Sequence, residues 1–422
     1  MRKFYDEFFK DLSTLIFFLY LGLAYFDLVD KWVPTILLLD GVLAAISAVY
    51  LFIWFYMNRK LKWDFASICF AVFALSMIIS SIVGKTNMTR LAVMAFQIVQ
   101  ILTVSVALYS ISDRLGPVMW WAGLFAVVFI SFGAGLSLLE FDKTISWLRL
   151  EFLGTGTNSA GANFGIALLL CLMLLRRKNG IWVNLCLIAL AIFLLYAQTL
   201  TKSRTAQLST VLGFVVWGLS VLVRGKKISF KSIALCFIIL AIGFVVLYAF
   251  MTSDRVQGKT YANLDELTGK RISIWKESMA AMGNKEFFFG FGGNTERMME
   301  VCEEAGASKH TLSFVSWHFL HNIYVQIYVD YGIFALVSFV LGSIYLFFRG
   351  FVGVLSSEKN TIERRLLPVA LSLASFLTAQ NMMESLSLYI GGAEQMVFVT
   401  SLALLYVLTN KKDKDVCPLA DS

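Results

Sequence analysis

Charge and histidine are what this chain has least of. Only 15% of its 422 residues are charged, and it contains three histidines and four prolines. A soluble domain runs nearer about a quarter charged, so a water-soluble globular protein is a poor reading. With so little proline and no low-complexity tract, a disordered tail or linker architecture is excluded as well. The six cysteines do not form a disulfide framework: Cys69, Cys171, Cys186 and Cys236 sit in apolar runs, Cys302 in a polar stretch and Cys417 in the tail. No CxxC pair occurs, which argues against a zinc knuckle or a dithiol redox centre. A GxSxG elbow, a phosphate-binding P-loop and an HExxH helix are also missing, removing serine-hydrolase, nucleotide-driven and zincin chemistries as first choices. The net charge of +8 lies in short clusters between apolar spans. That is the pattern of membrane topology and not of a surface tracking nucleic-acid phosphates.

What the chain does have is apolar length, at 58% hydrophobic residues. A membrane-crossing helix needs about 20 apolar residues to span a ~30 Å hydrocarbon core. Twelve runs meet that demand: 12–29, 35–57, 64–83, 91–111, 117–139, 162–175, 181–200, 205–223, 232–251, 322–348, 366–386 and 388–408. The first follows Asp6, Glu7 and Asp11 and reads as a retained helix instead of a signal peptide. Basic residues set the orientation. Arg59-Lys60, Arg176-Arg177-Lys178, Arg224 with Lys226-Lys227, Arg364-Arg365 and both chain ends form the rich set, while the alternate connections are poorer. The positive-inside rule then makes both termini cytoplasmic. No period of 20–50 residues repeats, so a solenoid is excluded. The predicted fold is all-α: a polytopic membrane protein of about 12 transmembrane helices with one large extracytoplasmic loop subdomain. A nine-span bundle occupies 1–251, the loop subdomain 252–321, and a three-span bundle with a cytoplasmic tail 322–422.

The polar stretch Thr252 to His321 holds every histidine: His310, His318 and His321. Apolar spans need no histidine, so chemistry is expected there. Within it, Arg271 to Met282 reads as a helix, with Ile272, Trp275, Met279 and Met282 on one face, lying on the outer leaflet or capping the membrane domain. Gly290-Phe291-Gly292-Gly293-Asn294 forces a turn, Glu296 to Glu304 forms a short polar helix, and Trp317 to Asn322 leads into the tenth span.

Three elements should meet at the outer surface: Thr201-Lys202-Ser203-Arg204-Thr205-Ala206, then Arg271 with Trp275, then His321-Asn322 followed by Asp330, Tyr331 and Gly332. Arginine is always charged, and its planar fork matches phosphate oxygens. Two arginines and a histidine at a lipid–water boundary suit a lipid-linked diphosphate. Singly, each has a blander reading. An arginine at a helix end more often snorkels to headgroups, and an interfacial histidine more often hydrogen-bonds than catalyses. The loop holds nine acids against eight bases, so Arg271 is not part of a general basic surface. Two rivals stand beside the transferase reading. One is a metal site of His318 and His321, which would share a helix face, completed by His310, Glu303 or Glu304. The other is a twelve-span carrier whose intramembrane polar residues, among them Gln198, Gln380, Glu384 and Glu394, line a path.

In order and sidedness, Ser203 to Ala206, Arg271 to Trp275, Gly290 to Gly293 and His321-Asn322 with Tyr331-Gly332 resemble the O-antigen ligase and polysaccharide polymerase family. Upstream, Gly154 to Asn158 and Ala162-Asn163-Phe164-Gly165 are similar to that family's Gly/Asn-rich lead-in to a middle span, with spaced Asn158 and Asn163 replacing an Asn-Pro-Asn-like pattern. The likeness covers residues 150 to 350 and extends to the first third only in hydropathy. It implies a metal-independent, inverting membrane glycosyltransferase without a cofactor, acting on an undecaprenyl-diphosphate-linked glycan and passing it to a glycan or lipid acceptor. By position, Arg204 and Arg271 would hold the diphosphate and His321 would be the base, with Ser203, Trp275, Asn322 and Asn163 as possible substrate contacts. Membrane lipids are the surroundings, and nucleic acid is no partner.

Overall fold

The computed structural model describes residues 2–26, 33–57, 64–141, 149–153, 156–176, 178–224, 264–358, 361–384 and 392–410. Regular structure among them is helical, with no strand. In chain order the helices are α1 (Arg2–Phe26), α2 (Val33–Met57), α3 (Phe65–Val83), α4 (Met88–Ser110), α5 (Leu115–Leu139), α6 (Thr157–Leu174), α7 (Ile181–Thr201) and α8 (Arg204–Val223). The polar stretch follows with α9 (Leu264–Leu267), α10 (Arg271–Ala280), α11 (Asn284–Phe289), α12 (Thr295–Glu304) and α13 (Lys309–Ser316). Then come α14 (Ile323–Leu355), α15 (Glu363–Asn381) and α16 (Ala393–Asn410).

Among the described residues nine helices are long and apolar enough to cross a membrane: α1, α3 to α8, α14 and α16, with the shorter apolar stretch Gly41–Met57 in α2. The chain is a multi-pass membrane protein. The candidate run 232–251 lies outside the described residues. Run 366–386 becomes α15, which opens on Glu363, Arg364 and Arg365 and is not one of the nine. Run 162–175 gains its length by starting at Thr157. Run 322–348 extends to Leu355 and is kinked where Gly332 adopts φ 79°.

Large apolar side chains point both ways, as expected where the solvent outside is hydrocarbon. Tyr20, Tyr25, Phe164, Phe376 and Phe398 are fully buried between helices, while Phe52, Phe132, Ile192 and Phe348 face outward. Helix α6 runs through the middle: every residue from Ala160 to Leu170 is buried. Small residues allow this close packing, as is usual between membrane helices. A Cβ on Gly165 would sit 2.5 Å from Thr210 Oγ1 and 2.8 Å from the Phe376 ring. The residues 264–322 have a small core of their own, built from Ile274, Met298, Cys302, Val315 and Leu320.

The connections sort onto two ends of the bundle. At one end Lys10 pairs with Asp113 at 2.6 Å, Arg114 with Asp11 at 2.6 Å, and Arg224 reaches the Arg364 carbonyl at 3.4 Å. At the other, the α3–α4 turn meets the glycine-rich turn after α11, with Asn294 donating to the Gly84 carbonyl at 3.0 Å.

Candidate functional site

Four helix ends converge at the end of the bundle covered by residues 264–322. The carboxylate of Glu384, three residues past α15 and only 2% exposed, is their meeting point. Arg271, the first residue of α10, places Nη2 2.5 Å from Glu384 Oε1. His321, just before α14, places Nδ1 2.9 Å from Glu384 Oε2. Asn158, in the first turn of α6, donates from Nδ2 to Glu384 Oε1 at 2.5 Å. Its Oδ1 accepts the hydroxyl of Ser203 at 2.9 Å, and Ser203 caps α8 by accepting from the Ala206 amide. Arg204 comes next in the chain, so the α7–α8 turn is tied to the same carboxylate through two side chains.

Each position has a local cause. Lys202 closes α7 in the left-handed region at φ 53°, and Ser203 restarts the chain as an N-cap, which packs a reversal into two residues. Lys270, before Arg271, is also left-handed and lacks a side-chain cap. Asp265 supplies one from a distance, accepting the Ser273 amide at 2.9 Å and the Ser273 hydroxyl. Those hydrogen bonds from Ser273 outweigh the opposing effect of burial and hold the Asp265 carboxyl below its ordinary range. His321 has φ 55°, a conformation that costs free energy in a non-glycine residue and persists where surrounding contacts fix it. Phe314 and Phe319 lie edge-on to its ring, at 4.9 and 4.4 Å between centroids.

The other expected residues divide. Asn322 caps α14 by accepting the Tyr324 and Val325 amides at 2.9 and 3.1 Å, and it donates to the Met382 carbonyl at 3.0 Å. It thus fixes the backbone on both sides of the His321–Glu384 pair. Trp275 donates its indole N–H to the Leu320 carbonyl at 2.8 Å, joining α10 to the residue before His321. Asn163 does not reach Glu384: it donates to Glu394 at 2.9 Å, beside Ser159 on the same oxygen at 2.5 Å. Helix α10 forms as expected, but the side chains it buries are Ile274, Ser278 and, just past it, Ala281; Met279 faces outward. Through Ile274, Ala281, Trp275 and Met282 it packs into the core of the loop unit. The turn after α11 forms, with Gly290, Gly292 and Gly293 at positive φ, and the short polar helix is α12.

The alternative metal set does not assemble. His318 and His321 share no helix face, because both lie in a turn with φ 56° and 55°. His318 Nε2 is 3.0 Å from the buried Asp330 Oδ2, and His310 is exposed against Phe314. Among the described residues no three His, Cys, Asp or Glu side chains gather as ligands.

Sequence reading missed two members of the cluster. Glu384 was legible only as one intramembrane acid among several, and Arg149 only as a topology charge. Arg149 donates to the Thr201 and Lys202 carbonyls at 3.0 and 3.2 Å. Burial lowers its pKa, the like charges of Arg204 and Arg271 lower it further, and Glu384 and Glu151 oppose them. Arg149 thus stands within electrostatic reach of two further guanidiniums and two carboxylates, a local cationic excess that favours a polyanion.

Residues 189–340 match a family model described as O-Antigen ligase. That stretch, about a third of the chain, includes Arg204, Arg271 and His321 and agrees with the likeness read from the sequence. The match supports a membrane glycan ligase or polymerase kind of function. No curated protein matches the chain.

Proposed function

We propose that this protein is a metal-independent, inverting glycosyltransferase that polymerises oligosaccharide repeat units carried on undecaprenyl diphosphate at the outer face of the cell membrane. The observation that supports it most is the sharing of one buried carboxylate by an arginine suited to a diphosphate and a histidine suited to proton transfer. A carboxylate only accepts, so the Nδ1–H of His321 donates to Glu384 and the lone pair stays on Nε2. The acceptor hydroxyl attacks the anomeric carbon, its proton passes to His321 Nε2, and the bond from that carbon to the diphosphate oxygen breaks with inversion. Negative charge grows on the departing undecaprenyl diphosphate, where Arg204 and Arg271 stabilise it; preorganised donors in a water-poor site are usually the largest catalytic contribution. Only one of the five guanidinium N–H donors of Arg271 is needed for the Glu384 contact, which leaves the fork's other edge for phosphate oxygens.

A ligase moving finished glycan to a foreign lipid or wall acceptor uses the same donor chemistry and is the second reading, supported by the family description. Purified protein in nanodiscs, supplied with lipid-linked repeat units, separates the two. A ladder of lengthening chains marks a polymerase, and a single transfer to added acceptor lipid marks a ligase. Failure to form any glycosidic bond with either acceptor refutes both, and uptake into vesicles without a covalent product would mark a carrier.

A further inference from the structure

Helix α11 carries three consecutive phenylalanines, Phe287, Phe288 and Phe289, that are 42%, 45% and 36% exposed. An open aromatic run on a loop unit calls for a partner surface. The neighbouring rings say which. Phe288 stacks on Phe334 of α14, with centroids 5.9 Å apart and planes 26° apart, and Phe287 meets Tyr328 edge-on at 6.1 Å. Phe334 heads a stripe of exposed apolar side chains down α14: Val337, Leu341, Ile344, Phe348 and Val352. Their spacing of three and four residues keeps them on one face. From Phe334 to Val352 the rise is ~27 Å at about 1.5 Å per residue, close to the ~30 Å thickness of a hydrocarbon core. The whole of α14, 33 residues, is ~50 Å long and exceeds that thickness. The excess falls in its first turns, up to the kink at Gly332, which stand at the interface beside the loop unit.

A second helix gives the same level. The exposed stripe of α3 runs Phe65, Ile68, Val72, Leu75, Ile79 and Ile82, a rise of ~26 Å. Near its end Ser80 donates to the Asp330 carbonyl at 2.9 Å and to the Phe289 carbonyl. Just above sit two exposed lysines, Lys85 and Lys285, the second with Nζ 3.4 Å from the Val83 carbonyl. Aromatic rings topped by lysines are the usual composition of a membrane interface.

We propose that Phe287, Phe288 and Phe289 insert among the acyl chains of bilayer phospholipid, so that α11 docks the loop unit on the membrane and marks the outer hydrocarbon boundary. The docking is rigid, because a Cβ at Gly332 would collide with the Phe288 carbonyl and one at Gly290 with the Asp330 carbonyl. It stands independently of which glycan bond the protein makes.

The test places the photoreactive residue p-benzoylphenylalanine at position 288, and separately at 287, in full-length protein held in phosphatidylglycerol nanodiscs. Position 341 on the α14 stripe serves as the lipid-facing reference, and position 296, exposed on α12, as the aqueous one. After irradiation, intact mass should show one added phospholipid at 287, 288 and 341 and none at 296. Labelling at 341 without labelling at 287 or 288 overturns the proposal. A covalent dimer through 288 also overturns it, since the face would then belong to a second copy of the chain.

Discussion

Replacing Glu384 by glutamine changes one oxygen to an NH2 in a side chain that is 2% exposed and bonded on both oxygens. The amide cannot serve both partners. With its oxygen toward Arg271, its NH2 faces His321, which must then accept at Nδ1 and carry its proton on Nε2, the wrong tautomer for a base. With the amide turned, His321 is oriented correctly but Arg271 faces a donor and loses its ion pair. Removing one partner of a buried pair costs about 3–5 kcal/mol. Arg271 and His321 are each 16% exposed, so water recovers part of this and the low end is expected. Losing a positioned general base lowers kcat by about 10²–10⁴-fold, or ~3–5 kcal/mol of barrier. Glu384→Gln should therefore show a kcat reduced by at least about 10²-fold, with KM changed much less, in single-turnover assays with the lipid-linked donor. Glu384→Asp, which keeps the charge but is one methylene shorter, should recover part of the rate. Because Arg271 and Glu384 act as one unit, Arg271→Ala with Glu384→Gln should be little worse than Arg271→Ala alone. A Glu384→Gln protein that folds and turns over within about threefold of the parent, ~0.7 kcal/mol, would refute the arrangement.

Arg204→Ala, Arg271→Ala and His321→Ala should each abolish product in the purified assay, and near-normal turnover by any one removes that residue from the site. Asp265→Asn should loosen α10 by about 0.5–2 kcal/mol, the usual worth of a cap, read as faster amide exchange over 271–280. Because the folded-state pKa of Asp265 is depressed, this contribution is present above the unfolded value of about 3.9 and is lost as pH falls through the folded one. The variant and parent should thus differ at pH 7 and converge in strong acid. Gly332→Ala meets both a φ of 79° and the Phe288 backbone, so a sharp loss of thermal stability or of expression is expected. His318→Ala, which leaves the buried Asp330 carboxylate with Gln326 in place of two donors, should lower the melting temperature while leaving the kcat of the surviving folded protein within a fewfold of the parent.

The parts legible in sequence were those written in local patterns. Apolar length announced most of the spans and put Ser203 and Asn322 where spans begin, while their service as N-caps emerged only with the structure. The glycine turn was readable because Gly290, Gly292 and Gly293 need positive φ. Less visible was anything decided by helix-to-helix contact. The buried line of α10 is set by Met298, Cys302 and Val315, which lie on other helices. Of the residues its periodicity picked, Trp275 and Met282 pack on that core, while Met279 faces outward and Ile274 takes the centre. The spacing of three between His318 and His321 suggested a shared helix face, but two left-handed residues send one ring to Asp330 and the other to Glu384. Glu384 stands 63 residues beyond His321 and 113 beyond Arg271, with nothing nearby in sequence to mark it as their partner.

Why these distant pieces keep a common geometry follows from α6. Its first turn and a half contacts both arms of the cluster. Asn158 links Glu384 to Ser203, while Ser159 and Asn163 hold Glu394 at the head of α16. Gly161 lies between these contacts, and a Cβ there would stand 2.7 Å from the Ala206 Cβ and 3.1 Å from the Ser203 Cβ. Glycine is therefore what lets the α7–α8 turn seat against α6. Any side chain at 161 pushes that turn outward, and Arg204 moves with it, while Glu384, His321 and Arg271 hang from other helices and stay. Gly161→Ala should accordingly separate the diphosphate-holding and base-orienting halves: turnover falls although the Arg271–Glu384–His321 contacts remain. Activity equal to the parent in a folded Gly161→Ala protein would mean that the α7–α8 turn need not be held this close, and Arg204 would lose its place in the chemistry.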